Sequence, residues 1–380
     1  MTLIPICLAL AAAAPAATTV EQDTLRTLDA VVVVGSRSAE PVRQVVGAVS
    51  RVDREAMDRR GVQGIEDLAR LLPGVDVASD SNRFGAQGFN LRGLEGNRVG
   101  VELDGVPLPD GFGVGQFALA GRDLVELGFV ERVEVLRGPA STLHGSKALA
   151  GVVAYWTPDP SEANWSEGDT VMAQARAGLG SRDDARWLAG RLLARSRDER
   201  LAMLVALGQR EGNETQNSAD DAEFAANPAD YRNHSALVRL NFDAGAAGRW
   251  SAIVERAEGR RETDVQSQLF GPGRFATTYA LFGDDQYERT RASLGAEWDK
   301  AGPLGPVRLL AWHQDSRTDQ FSEQYRLPDR ATPFESLRER RFVFGQEGSG
   351  LELNVQWRGT LAGAEHWQVF GIDLARHDYV

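Results

Sequence analysis

The sequence predicts an α+β domain followed by antiparallel strands of a transmembrane β-barrel, and three observations carry that prediction. Helix-period and strand-period segments are interleaved up to about residue 158, and only strand-period segments follow. The later strands have one apolar and one polar face, and their connections alternate between short and long. No run of about 18 apolar residues follows the N-terminus, which excludes a bundle of spanning helices but not strands that alternate.

Composition narrows the function classes. Of 380 residues 40 are Gly, which fits many turns and strands better than a helical bundle. Apolar residues make up 42% and charged residues 25%, a globular balance. With 42 Lys+Arg against 54 Asp+Glu, the formal net charge of −12 excludes nucleic-acid binding driven by overall basicity. A single cysteine, Cys7, excludes an internal disulfide framework and a Cys-rich metal site.

Met1 to Ala17 carries an apolar h-region and small residues for cleavage, and reads as a signal peptide without a basic n-region. Residues 18–28 form a polar linker. Asp29, Ala30 and the run Val31, Val32, Val33 and Val34 follow, closed by Gly35. Four β-branched residues in a row favour an extended backbone. The run is either the first strand of a sheet or an exposed strand that another protein pairs with by β-augmentation.

Ile65, Leu68, Ala69 and Leu72 fall at helical spacing, and Pro73-Gly74 stops that helix. Strands are expected at 75–77, 89–94, 99–103, 130–137 and 148–156, with a hairpin at Asp104-Gly105 and a helix over 121–128. Together these make a mixed domain over residues 29–158.

From residue 159 to 380 the period is two. Val171, Ala173, Ala175, Ala177 and Leu179 oppose Gln174, Arg176 and Gly178. Thr290, Ala292, Leu294, Ala296 and Trp298 oppose Arg289, Arg291, Ser293, Gly295 and Glu297. Short connections are expected at 244–248, 299–305 and 359–365, and long polar ones at 211–230, 259–286 and 317–346. Trp250, Trp298 and Trp357 stand near strand ends, where an interfacial girdle would lie; Trp187, Trp312 and Trp367 do not.

Two stretches resemble the plug domain of TonB-dependent outer-membrane receptors. The first is GFNLRGLEGNRV from Gly88, running into LDGVP at Leu103; it contains Arg92, Gly93, Asn97, Arg98, Asp104 and Gly105. The second is VERVEVLRGPASTLHGS from Val130, followed by Ala150-Gly151-Val152-Val153; it contains Arg137, Gly138, Pro139, His144 and Gly145. The GLEGNRV and DGVPLPD stretches are closest to the haem and haemoglobin receptor branch, and the valine run resembles a TonB box. The resemblance is close over 29–158 and covers the remainder by pattern only.

It implies a plug seated in a barrel, here an incomplete 22-stranded one, since the residues after the plug hold about eight or nine strands. On that count the chain reads as a fragment or truncated product, because an open edge in lipid leaves backbone groups unpaired. The implied function is import of an iron-bearing ligand, haem first, across the outer membrane, with TonB as the energising partner and membrane lipid around the barrel. A ferric-siderophore receptor and a non-transporting surface-binding remnant are the alternatives.

The resemblance implies no resident cofactor; haem would be cargo. His144 is the one plug histidine that could ligate iron, at a position where relatives usually carry Tyr, and its local context favours a structural role. Arg92 and Arg137 are candidates to pair with carboxylates on the wall. The motifs of catalysis are missing: Ser141 has no nucleophile-elbow setting, and no paired-His or paired-Cys metal signature occurs. The acid pairs Asp220-Asp221 and Asp284-Asp285 are candidate Ca²⁺ contacts or merely solvated charge.

Overall fold

The computed structural model describes residues 31–380 apart from 36, 38, 39, 46, 81, 123, 218–224, 300–304 and 362. The signal peptide, the linker, Asp29, Ala30, Asp220 and Asp221 lie outside the described residues. In chain order the N-terminal domain holds β1 (Val31–Val32), β2 (Glu40–Pro41), β3 (Ala48–Asp53), α1 (Arg54–Arg59), α2 (Ile65–Ala69), β4 (Val75–Asp80), β5 (Gly85–Leu91), β6 (Val99–Leu103) and β7 (Val106–Pro107). It continues with β8 (Phe112–Gly113), β9 (Leu119–Ala120), β10 (Arg132–Arg137), α3 (Ser141–His144) and β11 (Gly151–Trp156).

Its centre is a five-stranded sheet in the order β3-β10-β11-β6-β7, with β11 and β6 parallel and the other pairs antiparallel. The helical stripe Ile65, Leu68 and Leu72 packs with Met57, Val101, Val133, Val135 and Val153 in the main core. The strands alternate in sequence, yet all five residues of β6 are buried. Their polar members Glu102 and Glu134 face a second layer, where Val34, Leu136, Ala140 and Val152 cluster.

The helix expected over 121–128 does not form. Leu127–Phe129 makes one 3-10 turn, capped by Glu126 accepting from the Gly128 N–H. Arg122 is buried, and its Nε donates to the Pro109 carbonyl 2.9 Å away, which ties this stretch down outside any helix.

Nine antiparallel strands follow in strict sequence order: β12 (Val171–Gly180), β13 (Ala185–Arg195), β14 (Leu201–Asn213), β15 (Ala229–Asp243), β16 (Arg249–Asp264), β17 (Thr278–Trp298), β18 (Val307–Arg326), β19 (Ser336–Leu361) and β20 (Ala364–Tyr379). Up-and-down order with an apolar outer face is the construction of a barrel wall. Leu201, Leu207, Leu240, Val254, Leu294, Leu351, Phe370 and Leu374 stand exposed on that face, as lipid contact requires. Trp250 and Trp298 meet edge to face at 6.0 Å beside the short connections, whereas Trp312 lies buried against Val106 of the plug.

The expected long loops are mostly strand. Residues 259–264, 278–286, 317–326 and 336–346 continue the ladder, and the connections shrink to 214–228, 265–277 and 327–335. Above the apolar band the outward residues turn charged and pair across strands, as Arg260 with Asp284 and Arg341 with Asp319. The apolar alternation ends there; the backbone ladder does not.

Candidate functional site

The valine run folds back onto the plug rather than standing free. Val31 and Val32 pair with Pro41 and Glu40. Val31 is exposed, but Val32 and Val34 are buried. The Glu134 carboxylate, on β10, accepts the Val33 N–H at 2.7 Å and the Val34 N–H at 2.9 Å through one oxygen. Its other oxygen accepts from Arg132 Nε. A fully buried carboxylate thus satisfies two backbone donors that a free strand edge would offer to a partner.

Past the valines, Arg37 is buried and takes a positive φ of 59°. Its Nη2 donates to Glu102 on β6, its Nε to the Leu143 carbonyl, and its Nη1 to Glu352 on the wall strand β19. Burial pushes the Glu102 carboxyl up, but Arg37 and then His144 outweigh it and hold it down at about 2. His144 is buried, with Nδ1 on Glu102 and Nε2 on the Val34 carbonyl, both at 2.8 Å. Neither nitrogen is left for iron, so the geometry speaks against His144 as a ligand in this state.

The wall is held to the plug by ion pairs, mostly in the reverse sense to that anticipated. Arg92 is exposed and Arg137 bonds Ser50 on the neighbouring plug strand; neither meets a wall carboxylate among the described residues. Instead wall arginines reach plug acids. Arg291, wholly buried, bonds Glu255 on its own wall and Asp104 at 3.1 Å on the plug. Arg191 pairs with Glu131 and Arg182 with Glu66, while Arg239 holds Asp159 just after the plug. Arg83, in the β4–β5 turn, runs from plug to wall as a fork on Asp285. Asp284 and Asp285 are therefore each neutralised by an arginine, which removes them as Ca²⁺ contacts.

The remaining motif residues shape backbone. Asp104 sits at φ 53° and Gly105 at 85°, the tight turn between β6 and β7, and Asp104 also accepts from Thr157. Asn97 exchanges two hydrogen bonds with Gly111. Gly93, Gly138 and Gly145 have positive φ, while Arg98 and Pro139 are exposed.

A chamber of about 770 Å³ lies between the plug and strands β14–β18 at the end with the long connections. Gln87, Glu126, Arg210, Tyr231, Arg261 and Gln320 are among its lining. Arg210 is matched by Asp183 at 3.0 Å. Arg261 sits over the Tyr231 ring and has no salt-bridge partner among the described residues. Glu126 of the plug is pushed up by burial. No imidazole lines this chamber among the described residues. Sequence reasoning missed the chamber, since its lining comes from many segments far apart in the chain.

A model of the TonB-dependent receptor plug domain matches residues 41–152. The chain is 28% identical over 151 residues to the vitamin B12 transporter BtuB of Vibrio vulnificus, covering 40% of this chain and 24% of that protein. It is 29% identical over 277 residues to lactoferrin-binding protein A of Neisseria meningitidis, covering 70% of this chain and 28% of that one. It is 23% identical to an iron-regulated outer membrane virulence protein of Vibrio cholerae over 91% of this chain and 51% of that protein. The chain thus spans about half the length of these relatives, or less. Among solved structures, the pyoverdine receptor FpvA of Pseudomonas aeruginosa superposes with a TM-score of 0.65 at 13% identity, over 92% of this chain and 49% of that one. The siderophore receptor PirA of Acinetobacter baumannii gives 0.64 at 16%, over 89% and 49%.

Proposed function

Because this chain belongs to the TonB-dependent receptors of the outer membrane, with their plug and nine strands of their barrel wall, we propose that it serves energy-coupled import of an iron-bearing ligand. The observation that carries this reading is the docked valine segment at one end of the plug and the chamber at the other. Ligand bound at the long-loop end shifts the plug toward a state in which Val31 to Val34 undock; the freed strand pairs with TonB, and pulling rearranges the plug. Such a shift requires that ligand contact the two states differently, and the β4–β5 turn with Arg83 is placed to sense it.

The plug motifs favour haem as cargo. The chamber favours a second reading, a ferric siderophore: it offers the Arg261 cation and amides, a lining that suits an anionic chelate rather than an axial iron ligand. Iron-starved cells bearing the receptor should be fed iron-55 as haem, ferric catecholate or ferric hydroxamate. Receptor-dependent accumulation from one source, abolished by a protonophore, is the expected result. Accumulation from none, in cells that display the protein, would overturn the import reading. Arg261→Ala should weaken binding of an anionic chelate by about tenfold and leave plug seating intact.

A further inference from the structure

The two ring nitrogens of His144 both face oxygen acceptors. Nδ1 lies 2.8 Å from Glu102 Oε1, and Nε2 lies 2.8 Å from the Val34 carbonyl. The His144 side chain is 1% exposed, so water does not stand in for either partner. A backbone carbonyl never donates, and Arg37 Nη2 donates to the same Glu102 oxygen, which keeps that carboxylate ionised against the effect of burial. A neutral imidazole carries one N–H and would set a lone pair against one of these two oxygens. The ring that satisfies both is the imidazolium.

We infer that His144 is a proton-loaded clasp: its imidazolium ties the docked Val31–Val34 segment to Glu102, and loss of one proton unties the segment. The docked state therefore holds one more proton at this position than the undocked state needs. By linkage, undocking becomes easier as pH rises and harder as it falls.

The surrounding charges fit a clasp rather than a plain core histidine. Glu102, on β6, attracts the imidazolium. Arg37, on the segment side, repels it but shares Glu102 and binds the Leu143 carbonyl next to it. Glu352 on β19 draws off Arg37 through Nη1. Arg308 and Asp373 of the wall act on Glu102 and Arg37 respectively. Glu134 grips the same segment by its N–H groups, so the segment is held by acceptor and donor at once. The consequence for energy coupling rests on the import reading above; the clasp itself does not, and its test needs neither ligand nor TonB.

The test places a nitroxide on Val31→Cys in a Cys7→Ser background, with the protein in outer-membrane vesicles. Val31 is the exposed member of the segment, so the label reports docking without filling the core. The mobile fraction of the spectrum should rise severalfold as the buffer is taken from acid to alkaline pH. His144→Phe removes both donors and should give a high, pH-independent mobile fraction. A second label at Val114→Cys, on an exposed plug position, checks that the plug still folds. If His144→Phe disturbs that label, His144→Gln decides, since its amide donates without titrating and should flatten the pH response. A wild-type mobile fraction that is flat with pH overturns the clasp. So does a wild-type pH response that survives in the folded His144 variant.

Discussion

Glu102 stands between Arg37 and His144, and its acidity sets a test at the scale of one residue. Its carboxyl lies well below the ordinary range, so its contribution to stability is complete above about pH 4.5 and is lost as pH falls toward about 2. Acid titration of plug unfolding should show that loss, and Glu102→Gln should remove it; an identical acid limb in the variant would show that the carboxylate plays no such part. Gly151 gives a second test. It has φ 143°, and a Cβ there would press on the Leu136 carbonyl and the Leu91 side chain. Gly151→Ala should cost about 2–4 kcal/mol in denaturant unfolding of the plug, combining overpacking with backbone strain. The need for glycine at this point was legible in the motif. The partners of His144 and Glu102 were not, because Arg37 and Val34 reach them from distant parts of the sequence.

At the scale of elements, the valine run is a two-residue edge strand followed by two N–H donors that a carboxylate covers instead of another strand. Glu134→Gln keeps the shape but weakens both bonds to the Val33 and Val34 N–H groups. It should raise protease cleavage within the segment severalfold; unchanged cleavage would mean that Glu134 does not hold it. Strand identity was readable wherever apolar alternation persisted, as in Val171 to Leu179 and Thr290 to Trp298. It failed where the outward face turns charged: Arg260, Glu262 and Asp284 look like loop in sequence and are strand in the fold. The helix expected over 121–128 failed for the opposite reason, since buried Arg122 binds backbone carbonyls that no local pattern reveals.

For the whole molecule, the plug is positioned by charge. Arg291 is wholly buried between Glu255 and Asp104, and removing it leaves Asp104 without a guanidinium partner and Glu255 with Arg289 alone. Arg291→Ala should therefore cost about 3–5 kcal/mol in plug seating, read as easier extraction of the plug by urea; unchanged extraction would relocate the anchor. The direction of these contacts was not legible, because a sequence shows an abundance of arginine on alternating wall positions but not which plug acids they meet. The central claim is that the docked valine segment couples ligand capture to import. It is tested most directly by Val32→Pro, which removes one pairing donor from the segment. Binding and uptake of the accepted iron-55 ligand should be measured side by side in cells carrying the wild-type or variant receptor. Binding should be unchanged and uptake should fall to the level of protonophore-treated cells; uptake equal to wild type would show that the segment plays no part in import.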